Sequence, residues 1–232
     1  MEALGVTPPA YTVLDVSADG EVTGHFDAVQ YPAVVKILDP AIAHKSDIGG
    51  VVLHIQNAED AAKAAALVAE RANAHLAGTS ATVGSSHAAP RRRALLQTMS
   101  TGGLGELLIG YRNDAHVGPI VLVAAGGIEA ELYRDRAVRL APVDRAGAEE
   151  MLREVAAVQL LDGYRGLPQG DLAGVVELVV AFSQLAEDPT VVEAEINPVL
   201  VGADSVVPTD CLVREVVEQP QEADVQVEEA VL

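Results

Sequence analysis

Apolar residues along this chain follow two rhythms. Short runs in which they crowd together or alternate with polar ones mark strands at 13–15, 31–38 (YPAVVKIL), 51–55 (VVLHI), 94–99 (ALLQTM), 106–114 (ELLIGYRND), 119–125 (PIVLVAA), 191–202 and 205–213. A 3.6-residue rhythm marks helices at 57–76, 146–161 and 170–188. Asn57 stands where an N-cap belongs, with Glu59 and Asp60 in the first turn. The strands 31–38 and 51–55 flank a turn carrying two glycines, which predicts a hairpin with a mobile tip. A turn is also expected at Asn113 and Asp114. Residues 5–11 hold two prolines and are excluded from a helix interior, and 78–92, rich in Gly, Ser, Thr, Ala and Arg, read as a loop.

Strands in runs with helices grouped between them predict an α+β fold with largely antiparallel sheets. The expected division is 1–93, 94–215 and a tail, 216–232. Beyond Arg214 there are six acidic residues and no basic one, so the tail is expected to fray. No internal repeat is visible.

Composition narrows the classes. Half of the 232 residues are hydrophobic but only 3% are aromatic and none is Trp, so the core must be built from Ala, Val and Leu. No apolar run reaches the roughly 18 residues of a membrane span, and no basic-then-apolar leader opens the chain. One cysteine, Cys211, excludes an internal disulfide, and a cytoplasmic location is the simplest expectation. A formal net charge of -19 repels nucleic acid and anionic lipid. Lysine is scarce: only Lys36, Lys45 and Lys63 occur, and two of them flank one short segment. A GC-rich genome or a salt-tolerant source explains the scarcity; local positive charge for an anion explains the clustering.

That segment is AHKSDIGGV, residues 43–51. Two glycines let backbone approach a ligand and offer N–H groups to phosphate oxygens. Lys45 adds charge, Ser46 a hydroxyl, and His44 a nucleophile near neutral pH. The same residues also fit an ordinary surface turn. Lys36, inside an apolar strand, either snorkels from a sheet edge or aims at a phosphate. In EAEINP, Glu193, Glu195 and Asn197 share one face of a strand, and Asp210 follows on the returning strand. Such oxygens suit Mg²⁺ beside nucleotide phosphates; a solvated acidic face is the alternative. Neither a P-loop nor a GxGxxG turn is present.

Taken in order, KILDPAIAHKSDIGGV, LLQTM, GELLIGYRNDAHVGPIVLV, GGIEAELYRDRAVRLAP and EAEINP…PTD resemble the ATP-grasp domain of the NDP-forming acyl-CoA synthetases. In that family this is the nucleotide-binding β subunit of ADP-forming acetyl-CoA synthetase, a relative of the succinyl-CoA synthetase β chain. The resemblance implies an ATP-grasp fold, two α+β sub-domains enclosing a nucleotide cleft, with ATP or ADP and Mg²⁺ as cofactors. It implies that Lys36 meets nucleotide phosphate, and that His44, Lys45 and Ser46, with Gly49 and Gly50, form a phosphate loop in which His44 carries a phosphoryl group. It further implies that Gln97 to Met99 meet the adenine and Glu106 the ribose. Asn197 and Asp210 become Mg²⁺ ligands, with Glu195 a catalytic acid beside them. The expected partner is a CoA-binding α subunit, through which CoA and a small acid enter. A non-catalytic ATP sensor, or a ligase for another acid such as succinate, are the alternatives.

Overall fold

The computed structural model describes residues 7–42, 44–79, 91–126 and 135–216, together with the backbone of 227–231. These fall into two compact units, residues 9–99 and residues 100–232 with the first eight.

The unit 9–99 contains β1 (Tyr11–Val16), β2 (Val22–Thr23), β3 (Ala33–Leu38), β4 (Val51–Ile55), α1 (Ala58–Thr79) and β5 (Arg92–Thr98). The strands form one antiparallel sheet in the order β2-β1-β5-β3-β4. Helix α1 starts where the sequence says it should. The Asn57 Oδ1 accepts the Asp60 N–H at 2.9 Å, while the Asn57 amide donates to the Asp60 carboxylate at 2.9 Å. Its buried stripe is Ala61, Ala64, Ala65, Val68, Ala69 and Ala72, packed with Leu14, Val16, Val35, Ile37 and Leu96 of the sheet. Small side chains let the helix lie close, which is how a chain with few aromatics still fills this core. Because side chains alternate along a strand, Val34, Lys36, Leu95 and Gln97 point to the sheet face away from α1.

The boundary lies after Met99, not after residue 93. Residues 92–98 pair with both β1 and β3, so the strand is central to the first sheet and cannot open the second unit. Of the loop expected at 78–92, residues 80–90 lie outside the described residues, while 78 and 79 end α1 and Arg92 opens β5.

The second unit contains β6 (Gly105–Asp114), β7 (Gly118–Ala125), β8 (Arg136–Leu140), α2 (Arg145–Glu154), α3 (Ala156–Leu161), α4 (Leu172–Ser183), β9 (Val191–Val201), β10 (Val206–Pro208), β11 (Cys211–Val216) and β12 (Val227–Val231). The antiparallel sheet runs β12-β11-β9-β6-β7-β8, with β10 beside β9. The core holds Leu107, Ile109, Val121, Val123, Ala194 and Ile196 from the sheet against Met151, Val175, Val179 and Phe182 from the helices. Ser183 is fully buried; its hydroxyl accepts the Val143 N–H at 3.0 Å and donates to the Val180 carbonyl at 2.7 Å. Without that hydroxyl a buried N–H would lose its partner, a cost of about 1–3 kcal/mol.

Three expectations change here. The helix expected over 146–161 is two helices. Val155 is extended, and the Asp135 carboxylate accepts N–H groups of Ala156 and Ala157, both at 2.8 Å, so a cap from 21 residues away starts α3. The turn expected at Asn113 and Asp114 falls later. Both residues stay in β6, and the Asp114 carboxylate accepts the N–H groups of His116 and Val117 at 2.9 and 3.2 Å, which holds its pKa below the usual carboxylate range. Within the tail, residues 227–231 pair with β11 as β12 instead of fraying.

Candidate functional site

In the first unit, Lys36 and Gln97 sit on neighbouring strands and the same sheet face. Lys36 pairs across from Leu95 and Val34 from Gln97, so the two polar side chains meet diagonally. The Lys36 ammonium donates to the Gln97 side-chain oxygen at 3.0 Å, and both groups are buried. A buried ammonium is costly unless it is bonded, so this lysine is held in place rather than snorkelling from an edge. The edge of the sheet is β4, one strand further out. Met99 follows directly; it is half-buried, and its N–H donates to the Pro32 carbonyl at 2.9 Å.

The turn 44–50 joins β3 to β4. His44 and Ser46 are exposed, while Lys45 between them is only 5% exposed. The turn is closed by its own backbone: Asp47 N–H to the His44 carbonyl at 3.2 Å, Gly49 N–H to Ser46 at 3.0 Å, and Gly50 N–H to Lys45 at 2.7 Å. The two glycines take part in that closure through their own N–H groups. Their N–H groups are engaged inside the turn and form no open cradle. Gly49 supplies a left-handed φ of 66°, and a Cβ there would stand 2.8 Å from the Arg71 guanidinium. A Cβ on Gly50 would stand 2.7 Å from Ile37 and 2.9 Å from the Lys45 carbonyl.

In the second unit, Glu106, Glu195 and Asn197 lie on the sheet face away from the helices. Strand β9 alternates, with Ala194 and Ile196 buried while Glu193, Glu195 and Asn197 point outward. Its register against β6 slips between Leu107 and Ile109, so two residues, Asn197 and Pro198, stand opposite Leu108. Such a bulge re-aims the side chain it carries. The Asn197 N–H donates to the Asp210 carbonyl at 3.0 Å, placing those residues side by side on β9 and at the entry to β11. The Asn197 amide nitrogen reaches the Glu195 carboxylate at 3.3 Å, which turns its oxygen the other way. Glu193 is instead ion-paired with Arg214 at 2.6 Å. Glu106 is exposed on β6.

Two carboxylates and one amide are hard oxygen donors of the kind Mg²⁺ takes when phosphates complete its shell. Among the described residues, no group of three or more His, Cys, Asp or Glu side chains is placed to hold a metal by itself. Asn197 and Asp210 would supply part of such a shell. No helix among the described residues is long and apolar enough to cross a membrane.

Sequence reasoning missed the groups that hold the turn 44–50. Asp39, at its start, is buried and paired with Arg92; the Arg92 Nε donates to Asn73 of α1 at 2.8 Å. At its end, the Arg71 guanidinium donates to the Gly49 carbonyl at 2.7 Å. These partners lie 19 to 53 residues apart in the chain, so no local pattern announces them.

Residues 1–214 match the ATP-grasp domain family, and the chain belongs to it. The relatives narrow the class to ADP-forming acyl-CoA synthetases. The chain is 30% identical over 211 residues to the β subunit of ADP-forming acetate–CoA ligase I of Pyrococcus furiosus, covering 90% of this chain and 85% of that one. It is 34% identical over 179 residues to ADP-forming acetate–CoA ligase I of Archaeoglobus fulgidus, covering 75% of this chain but only 24% of that longer protein. Among solved structures, it matches acetyl-coenzyme A synthetase 1 of Candidatus Korarchaeum cryptofilum, in complex with coenzyme A and Ca-AMPCP, with a TM-score of 0.75 and 28% identity, covering 91% of this chain and 87% of that chain.

Proposed function

We propose that this chain is the nucleotide-binding β subunit, or the equivalent domain of a fused enzyme, of an ADP-forming acyl-CoA synthetase. The overall reaction is acyl-CoA + ADP + phosphate giving acid + CoA + ATP. The observation that carries the reading is the turn 44–50, which presents an exposed imidazole, His44, beside a buried ammonium, Lys45.

In this reading His44 accepts a phosphoryl group from a partner and passes it on. An oxygen of the ADP β-phosphate attacks phosphorus, the N–P bond breaks, the new P–O bond forms, and the imidazole is left neutral. The transferred group carries its charge on its oxygens, so the chain's task is positioning and electrostatic stabilisation. Lys36 and Lys45 supply positive charge in a protein of net charge -19. Gln97 and Met99 serve the adenine, Ser46 the phosphates, and Glu106 the ribose. Asn197 and Asp210 would hold Mg²⁺, with Glu195 orienting the Asn197 amide. When bound, the cation neutralises phosphate charge.

The partner is a CoA-binding α subunit, and acid selectivity resides there; acetate is the first acid to test. The test mixes the full chain, its partner, Mg²⁺ and γ-labelled ATP. Label is expected on a histidine, acid-labile and alkali-stable, and His44→Ala abolishes it together with ATP synthesis. Undiminished ATP synthesis by that variant overturns the role. ATP binding with no phosphoryl transfer, with any partner and any acid, favours an ATP sensor.

A further inference from the structure

The His44-bearing turn is fastened at both ends to one helix. At its N-terminal end, Asp39 sits between the Ala41 N–H, which its carboxylate accepts at 3.0 Å, and Arg92, which in turn grips Asn73 on α1. The Ile42 N–H also donates to the Asp39 carbonyl, at 3.0 Å. At its C-terminal end Arg71, also on α1, donates to the Gly49 carbonyl at 2.7 Å. Gly49 reaches its left-handed conformation with Arg71 packed where a side chain would be, so turn and arginine fit as a pair. Between the clamps, three turn N–H groups are bonded internally and the Lys45 side chain is buried. At the apex His44, Ser46 and Asp47 are exposed.

We propose that Arg71 and Asn73 of α1 are positioning residues that hold the His44 turn as a fixed platform. The inference rests on His44 being the phosphate carrier. It adds that α1 holds this carrier in place through Arg71 and Asn73. Near-attack geometry demands such fixity, because the entropy of aligning donor and acceptor is then met by the fold. Arg71 is the better handle. Its side chain is exposed, so its loss leaves global stability nearly unchanged. Asp39 is buried and Arg92 half-buried in one ion pair, so changing either would confuse folding with function.

The test uses full chain with the partner subunit, and reads two quantities for wild type, Arg71→Ala, Arg71→Lys and His44→Ala. The first is amide hydrogen exchange at Asp47, Gly49 and Gly50. The second is kcat and the ADP KM for ATP synthesis. Arg71→Ala is expected to raise exchange at these amides about tenfold or more and to lower kcat by a similar factor, with the ADP KM unchanged. Arg71→Lys, which can still reach the carbonyl, restores much of both. Unchanged exchange, or raised exchange with unchanged kcat while His44→Ala is inactive, overturns the platform and leaves the proposed function standing. An active His44→Ala overturns the proposed function itself, whatever the exchange shows.

Discussion

Replacing Gly50 by alanine probes the packing that seats Lys45. The new methyl would stand 2.7 Å from Ile37 Cγ2, 2.9 Å from the Lys45 carbonyl oxygen and 3.4 Å from Ile48. Ile37 is fully buried, so its side chain has nowhere to retreat. The carbonyl is backbone, and it is the acceptor of the 2.7 Å bond from the Gly50 N–H itself. Relief therefore requires the turn to move, which breaks that bond or the 2.8 Å bond from the Ile37 N–H to the Gly50 carbonyl. Overpacking of this kind costs about 1–3 kcal/mol, and one lost backbone bond about 1 kcal/mol. The sum is a destabilisation of roughly 2–4 kcal/mol, a large share of the 5–15 kcal/mol of a typical domain. The assay is urea unfolding followed by far-UV circular dichroism, comparing midpoints at constant m-value. Gly78→Ala is the control: it lies in α1 with nothing within 4 Å of the added Cβ, and gains up to about 1 kcal/mol from helix propensity. A loss below about 1 kcal/mol in Gly50→Ala, or an equal loss in the control, refutes the reasoning.

Two further outcomes follow from the second unit. Asp135→Ala removes the carboxylate that caps α3 through two N–H groups and lowers stability by about 1–2 kcal/mol, with Asp135→Asn, which offers one oxygen, roughly halfway, all measured in the same urea assay. Equal stability in the alanine variant contradicts the cap. Burial, with a smaller contribution from the Asp188 carboxylate, pushes the Tyr111 phenol up from its usual value. Above about pH 10 the unfolded tyrosine has lost its proton while the folded one keeps it, so the unfolded state binds fewer protons and stability falls as pH rises. Tyr111→Phe flattens that alkaline slope; an unchanged slope between about pH 9 and 11 shows that other groups cause it.

Much of the site was legible because it rests on short-range rules. A lysine within a buried strand, a glycine-bearing turn after it, and carboxylates alternating with apolar residues along one strand are patterns in the chain itself. Local rules also fixed the start of α1, since Asn57 and Asp60 are three residues apart. The meaning of the two glycines was not legible. Composition allows them to serve a hinge, an anion cradle or close packing. Only the approach of Ile37 and Arg71, from a strand and a helix elsewhere in the chain, shows that a side chain has no room there.

The sequence alone determined the order of the longer strands and helices it marked, the alternation that faces Glu195 and Asn197 outward, and the family, because each depends on residues near one another or on motifs in fixed order. Tertiary structure decided where units divide, since β5 joins the first sheet by pairing with β1 and β3 on both sides. It decided that one apolar rhythm over 146–161 is two helices, because Asp135 supplies a distant cap. It also decided that Lys36 meets Gln97 and that Asn197 lies beside Asp210, 61 and 13 residues apart. Contacts of that separation are set by strand register and helix docking, and these follow from the whole core rather than from any window of sequence.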